Sequence, residues 1–159
     1  MSYKNKNNSK IKICLISSSG GHFEQLKMLK PLSKNPDFEV FWVTEDANYG
    51  DAADYFLRQT QPNKVASLFI MFVNTMRTLR IWCKERPDYV ITTGTLIALP
   101  MALLARLLGK RLVYIETFAR VYDGTRAGKL FYKFADLFII QWETLKDIYP
   151  NAVYGGSIY

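Results

Sequence analysis

Five short, nearly continuous apolar runs dominate this chain, at residues 11–17, 39–44, 89–92, 112–116 and 137–141. None shows the sustained apolar–polar alternation of a strand with one wet face. Runs of this kind belong to parallel strands covered on both sides. Parallel neighbours cannot be joined by a tight hairpin and need a crossover. The segments between the runs supply crossovers, with helical spacing at residues 22–32, 67–85, 95–108, 127–135 and 143–148. The pattern predicts βαβ units in a Rossmann-like open parallel α/β sheet. A further short strand is expected at residues 64–66. Lys30-Pro31 should end the first helix, Arg86-Pro87-Asp88 should separate a helix from the next strand, and Gly109 should cap the helix before the fourth run.

With 159 residues, 49% of them hydrophobic, the chain can bury one full core and is not a disordered polypeptide. Residues 1–10 read as a flexible basic arm and residues 11–159 as a single domain. Lys and Arg outnumber Asp and Glu by 21 to 14, a net charge of +7 that favours polyanionic partners. Cys14 and Cys83 form no CxxC pair, and the single histidine cannot complete a zinc site with them. Both are expected as buried free thiols in a reducing cytoplasm, with no metal. The polar, lysine-containing residues 1–10 are not expected to act as a secretory signal. The apolar stretches at 65–73 and 96–105 fall short of the ~20 residues a membrane-spanning helix needs.

The chemistry should lie beyond the C-terminal ends of the strands, where an open α/β sheet binds its ligands. The first loop there is Ser17-Ser18-Ser19-Gly20-Gly21-His22, running into a helix. The second is Thr92-Thr93-Gly94-Thr95. Each combines hydroxyls, glycine and a helix start, which offers free backbone N–H groups and a positive dipole end. In a Rossmann-like strand order the two loops are neighbours, and together they suit a diphosphate. The alternative is that the glycines only make turns and the hydroxyls only cap helices. Neither GxGxxG nor GxxxxGKT is present. Glu45 and Asp46 follow the second run, where a ribose-binding acid could stand, but without the glycine pattern no nucleotide cofactor is expected.

His22 is the first candidate for a general base. A positive helix end disfavours the imidazolium, and a neutral ring can take a proton from an acceptor hydroxyl. The alternative is a polar helix-start residue bonded locally. Glu116, closing the fourth run, is the second candidate, to orient a sugar hydroxyl or act as a base. Its alternative is a salt bridge to Arg120. Two apolar stripes, Phe69, Phe72, Val73 and Met76, and Leu96, Leu99, Leu103 and Leu107, carry basic flanks. They are either core or a face that dips into an anionic membrane interface.

Four blocks in order carry a family resemblance. They are Ser19-Gly20-Gly21-His22; Pro87-Asp88-Tyr89-Val90-Ile91-Thr92-Thr93-Gly94; Tyr114-Ile115-Glu116 with Arg120; and Gly128-Lys129-Leu130-Phe131-Tyr132 through Ala135-Asp136-Leu137-Phe138 to Gln141-Trp142, ending at Tyr154-Gly155-Gly156. From Ile11 onward the chain resembles the membrane-anchoring subunit of the two-chain UDP-N-acetylglucosamine transferase of dolichol-linked oligosaccharide synthesis. It also resembles that subunit's bacterial relatives from capsule and exopolysaccharide clusters, which enhance a partner glycosyltransferase. The segment Tyr122-Asp123-Gly124-Thr125-Arg126-Ala127 departs from the more apolar, serine-containing version of the family.

The resemblance implies the N-terminal half of a GT-B glycosyltransferase, here the acceptor side of a split, inverting enzyme. Its acceptor would be a polyprenyl-diphosphate-linked saccharide at the cytoplasmic face of the membrane, with peripheral membrane contact and no nucleic acid partner. Ser18, Ser19, Gly20, Gly21, Thr93, Gly94, Thr95 and Arg120 would hold that acceptor. A separate subunit would bind the UDP-sugar, and no metal or cofactor is called for. The final segment, with Tyr154, Gly155, Gly156, Ile158 and Tyr159, is expected to dock on that subunit; its alternative is to fold back on its own domain. The other reading of the whole chain is a non-catalytic recruiter that localises and activates the partner enzyme.

Overall fold

The computed structural model describes residues 10–45, 53–59 and 64–158. Asp46, Tyr159 and all of the expected arm except Lys10 lie outside them. The described residues form one seven-stranded sheet: β1 (Ile11–Ile16), β2 (Phe38–Glu45), β3 (Tyr55–Leu57), β4 (Tyr89–Thr92), β5 (Arg111–Ile115), β6 (Leu137–Ile140) and β7 (Val153–Tyr154). Its order is β3-β2-β1-β4-β5-β6-β7 and every pairing is parallel. The order reverses between β1 and β4, where Ile16 lies level with Thr92.

Four α-helices accompany the sheet: α1 (Gly21–Lys27), α2 (Lys64–Glu85), α3 (Leu99–Leu107) and α4 (Arg126–Phe131). Alternate strand residues enter two separate cores. Cys14, Ile16, Val90, Leu112 and Tyr114 share one core with Trp82 of α2, Met101 of α3 and Phe131 of α4. Ile13 and Leu15 share the other with Phe23 and Leu26 of α1. This two-sided burial is the reason β1 shows no alternation: Ile13, Cys14, Leu15 and Ile16 are all within 4% of full burial.

Local sequence rules account for several boundaries. Gly109 has φ +66°. Its N–H and that of Lys110 donate to the carbonyls of Arg106 and Ala105, closing α3 in a Schellman motif. Pro100 falls in the first turn of α3, where a missing N–H is harmless. Other expectations need correction. Residues 64–66 begin α2 and are not a strand. Helix α1 stops at Lys27, and Pro31 lies in a separate 3-10 turn, Lys30–Lys34. Cys14 is buried but Cys83 is exposed on α2. No sequence pattern marks β3 and β7, because two or three residues are too few to carry a period.

The apolar stripes on α2 and α3 are not core throughout. Leu68, Phe69 and Phe72 of α2 are exposed by 60% or more, and Leu96, Leu103 and Leu107 are exposed as well. Leu99 packs against the core. The basic flanks of α3 are engaged: Arg106 and Arg111 pair with Asp136, and Lys110 with Asp88. Among the described residues no helix is long and apolar enough to cross a membrane.

Candidate active site

At the strand-order reversal, the loop after β1 meets the loop after β4. The His22 ring nitrogen Nδ1 lies 2.7 Å from the carbonyl oxygen of Thr93, and the Thr93 hydroxyl donates to the carbonyl of His22 at 2.8 Å. A carbonyl oxygen can only accept, so Nδ1 carries a hydrogen. In the neutral ring Nε2 is then the basic nitrogen. His22 is therefore held in the tautomer a general base requires.

Gly94 backs this arrangement. Its φ is +106°, and a Cβ built on it would stand 3.2 Å from His22 Cε1 and 3.3 Å from the Tyr114 hydroxyl. Only glycine leaves the ring and the phenol their places. The Thr93 hydroxyl is committed to His22, so it positions the loop and is not offered to a ligand. Gly20, with φ +77°, precedes α1, and its carbonyl accepts from the N–H groups of Phe23 and Glu24. A Cβ on Gly20 or Gly21 would meet no described atom within 4 Å.

Glu116 is not at the rim. It is fully buried and is surrounded by donors. Its carboxylate accepts from Tyr149 Oη at 2.8 Å, from the N–H of Thr117 at 3.0 Å, and from the N–H and hydroxyl of Thr125. The expectation that it orients a sugar hydroxyl or acts as a base is corrected on this ground, and so is its alternative: Arg120 pairs with Asp123 at 2.6 Å, not with Glu116. Gly128 makes room for the carboxylate, since a Cβ there would come within 1.9 Å of Glu116 Oε2. Burial, reinforced by the charge of Glu116, pushes the hydroxyls of Tyr114 and Tyr149 up, so both stay protonated as donors. Tyr114 Oη lies 3.3 Å from Thr125 Oγ1, which caps α4 by accepting from Gly128 N. Glu116 thus anchors the segment after β5 beneath the His22–Gly94 contact.

A cavity of about 580 Å³ opens beside the first loop. Ser18, Ser19, Glu45 and Thr95 line its polar part, and Met71 and Leu96 part of its apolar wall. The sequence marks Glu45 only as a position where a ribose-binding acid could stand. In the structure, the backbone N–H and hydroxyl of Ser19 donate to its Oε2 at 3.3 and 3.2 Å. Asn74 of α2, which no sequence signal marked, is fixed by two bonds to the backbone of Arg58.

The final segment returns to its own sheet. Gly155 N donates to Ile140 O, and Ile158 N to Gln141 Oε1. Its backbone therefore folds back, while Val153 and Tyr154 remain half exposed along the edge of β7.

A parallel sheet with this order, carrying glycine loops at its reversal, is a Rossmann-like domain of the GT-B type. Solved structures of that type superpose on it. MurG of Acinetobacter baumannii matches with a TM-score of 0.66 at 17% identity, covering 85% of this chain and 42% of that one. The UDP-GlcNAc 2-epimerase of Neisseria meningitidis, bound to UDP-GlcNAc, gives 0.70 at 17%, covering 93% and 47%. At such identities the likeness is one of fold. The chain belongs to the family of oligosaccharide biosynthesis proteins like Alg14, which it matches over residues 13–158. The UDP-N-acetylglucosamine transferase subunit ALG14 of Homo sapiens is 28% identical over 179 residues, 93% of this chain and 83% of the relative. That of Mus musculus is 33% identical over 107 residues, 64% of this chain and 49% of the relative, so the match spans about half of the mouse protein.

Proposed function

We propose that this chain is the acceptor-binding, membrane-side subunit of a split GT-B glycosyltransferase. A separate subunit would hold a UDP-sugar, and the sugar would pass to a polyprenyl-diphosphate-linked saccharide. The setting, capsular or exopolysaccharide synthesis at the cytoplasmic face of the membrane, rests on the sequence resemblance. The observation that carries the reading is the His22–Thr93 exchange, which leaves Nε2 as the basic nitrogen of a ring on the same loop as Ser18 and Ser19 of the cavity.

In this reading the acceptor hydroxyl lies against Nε2 of His22, which takes its proton as the oxygen attacks the sugar's anomeric carbon. The bond from that carbon to UDP breaks, and UDP leaves on the partner's side. The loop of Gly20 and Gly21, at the start of α1, receives the acceptor's diphosphate. Ser18, Ser19 and Thr95 line the adjoining cavity, and Arg120 lies on the exposed loop after β5. Glu116 acts only through the segment it anchors.

The exposed apolar face of α2, with Leu68, Phe69 and Phe72, supports peripheral membrane contact. It also favours the second reading, a recruiter that localises and activates a partner without chemistry of its own. Both are tested by reconstituting the chain with its donor subunit on vesicles carrying a polyprenyl-diphosphate-linked saccharide. Sugar transfer that requires both chains is expected. Full transfer by the donor subunit alone, on the same vesicles, overturns the acceptor-side role.

A further inference from the structure

The cavity beside the first loop has the wrong chemistry for a phosphate. Among the described residues its charged lining group is a carboxylate, Glu45, and neither lysine nor arginine lines it. Glu45 is 6% exposed. Its Oε2 is occupied by both donors of Ser19, while Oε1 takes no hydrogen bond among the described residues. A carboxylate oxygen with a vacant lone pair attracts a hydroxyl and repels an anion. Asn74, whose amide is oriented by the backbone of Arg58, stands across the cavity wall.

The lip has the opposite character. Met71 and Leu96 both line the cavity and are more than 40% exposed. Met71 lies on α2 between the exposed Leu68 and Phe72. The volume of about 580 Å³ is that of an ordinary small-molecule site. A hydroxyl-seeking floor joined to an apolar lip suits an uncharged sugar attached to a hydrocarbon.

We infer that this cavity is the saccharide subsite, in which Glu45 Oε1 accepts a hydroxyl of the acceptor's uncharged sugar and the diphosphate is kept outside. The inference rests on the acceptor-side reading above, which it deepens by separating where the sugar and the diphosphate are held. Ser19 is then a positioning residue: it turns Oε2 away and leaves Oε1 facing the ligand.

The test uses the full chain, with n-octyl β-D-glucoside below its micelle concentration, n-octyl phosphate and UDP as separate probes. Binding is followed by calorimetry and by the amide NMR signals of Ser18, Ser19 and Thr95. The glucoside is expected to shift these signals and the other two probes to leave them in place. Exchange of a hydrogen bond to a charged acceptor for one to a neutral amide should make Glu45→Gln bind the glucoside more weakly by on the order of tenfold. Should that variant misfold by circular dichroism, the preference of the wild-type chain among the three probes decides by itself. Preference for octyl phosphate or UDP at these amides, equal binding of both octyl compounds, or no binding overturns the inference. Transfer in the two-subunit assay is scored separately. Glucoside bound at Glu45 without any transfer leaves the subsite standing and removes the transferase reading. Transfer that is indifferent to a folded Glu45→Gln does the reverse.

Discussion

His22 and Thr93, 71 positions apart in the chain, exchange hydrogen bonds in both directions: ring to carbonyl at 2.7 Å, hydroxyl to carbonyl at 2.8 Å. The exchange ties the loop after β1 to the loop after β4 and fixes which nitrogen of the ring is basic. A side chain on a helix of only seven residues is thereby oriented by the neighbouring strand's loop rather than by its own helix.

Catalysis by this ring predicts a large and specific loss. With the donor subunit present, His22→Ala should lower transfer by about 100- to 10,000-fold, the usual contribution of a general base. Co-purification with the partner should be unchanged. Transfer within threefold of wild type would leave the recruiter reading in possession.

The Glu116 pocket predicts a strong coupling. Gly128→Ala puts a methyl where the carboxylate is and should destabilise the fold by about 1–3 kcal/mol, the usual result of overpacking. Glu116→Ala leaves the hydroxyls of Tyr149 and Thr125 without their acceptor, and each unsatisfied buried group costs about 1–3 kcal/mol. The double variant removes the clash and should lose less than the sum. Additive effects in urea denaturation would show that the two side chains do not meet.

Acid should weaken the fold through the base of the sheet. The hydroxyl of Tyr55, then the ammonium of Lys12, hold the Glu85 carboxyl below its ordinary 4.5. Lys110 does the same for Asp88, below its ordinary 3.8. A depressed carboxylate stabilises fully above its unfolded value and loses that contribution as pH falls through its folded one. Thermal stability should therefore decline as pH drops below about 4.5, and Glu85→Gln with Asp88→Asn should flatten that decline. An unchanged slope in the double variant would place the acid sensitivity elsewhere.

The edge of β7 is the expected docking place of the donor subunit. Val153 and Tyr154 are half exposed there, and an aromatic anchor at a sheet edge is a frequent interface residue. Val153→Asp with Tyr154→Asp should abolish co-purification. These changes leave the Gly155–Ile140 and Ile158–Gln141 bonds in place, unlike deletion from Gly155 onward. A pull-down at full yield with a folded double variant would move the contact to another surface.

The sequence alone determined the class of fold. Apolar runs without alternation require strands buried on both faces, and such strands require crossovers; β1, β2, β4, β5 and β6 all follow from that. It also marked the glycine loops and His22, because a strand, a glycine turn and a helix start are local features. Tertiary structure decided what the polar residues at the strand ends do. Glu116 and Glu45 both close apolar runs, yet one is sealed among Tyr149, Thr125 and Gly128 while the other lines an open cavity. The difference comes from helices whose packing no local pattern encodes. The tautomer of His22 is likewise fixed by a carbonyl from another loop, and the exposure of Phe69 and Phe72 by the absence of any described element over that side of α2. A one-dimensional pattern specifies which residues are apolar and at what period. Which of two similar strand-end carboxylates meets a ligand depends on contacts between segments far apart in the chain.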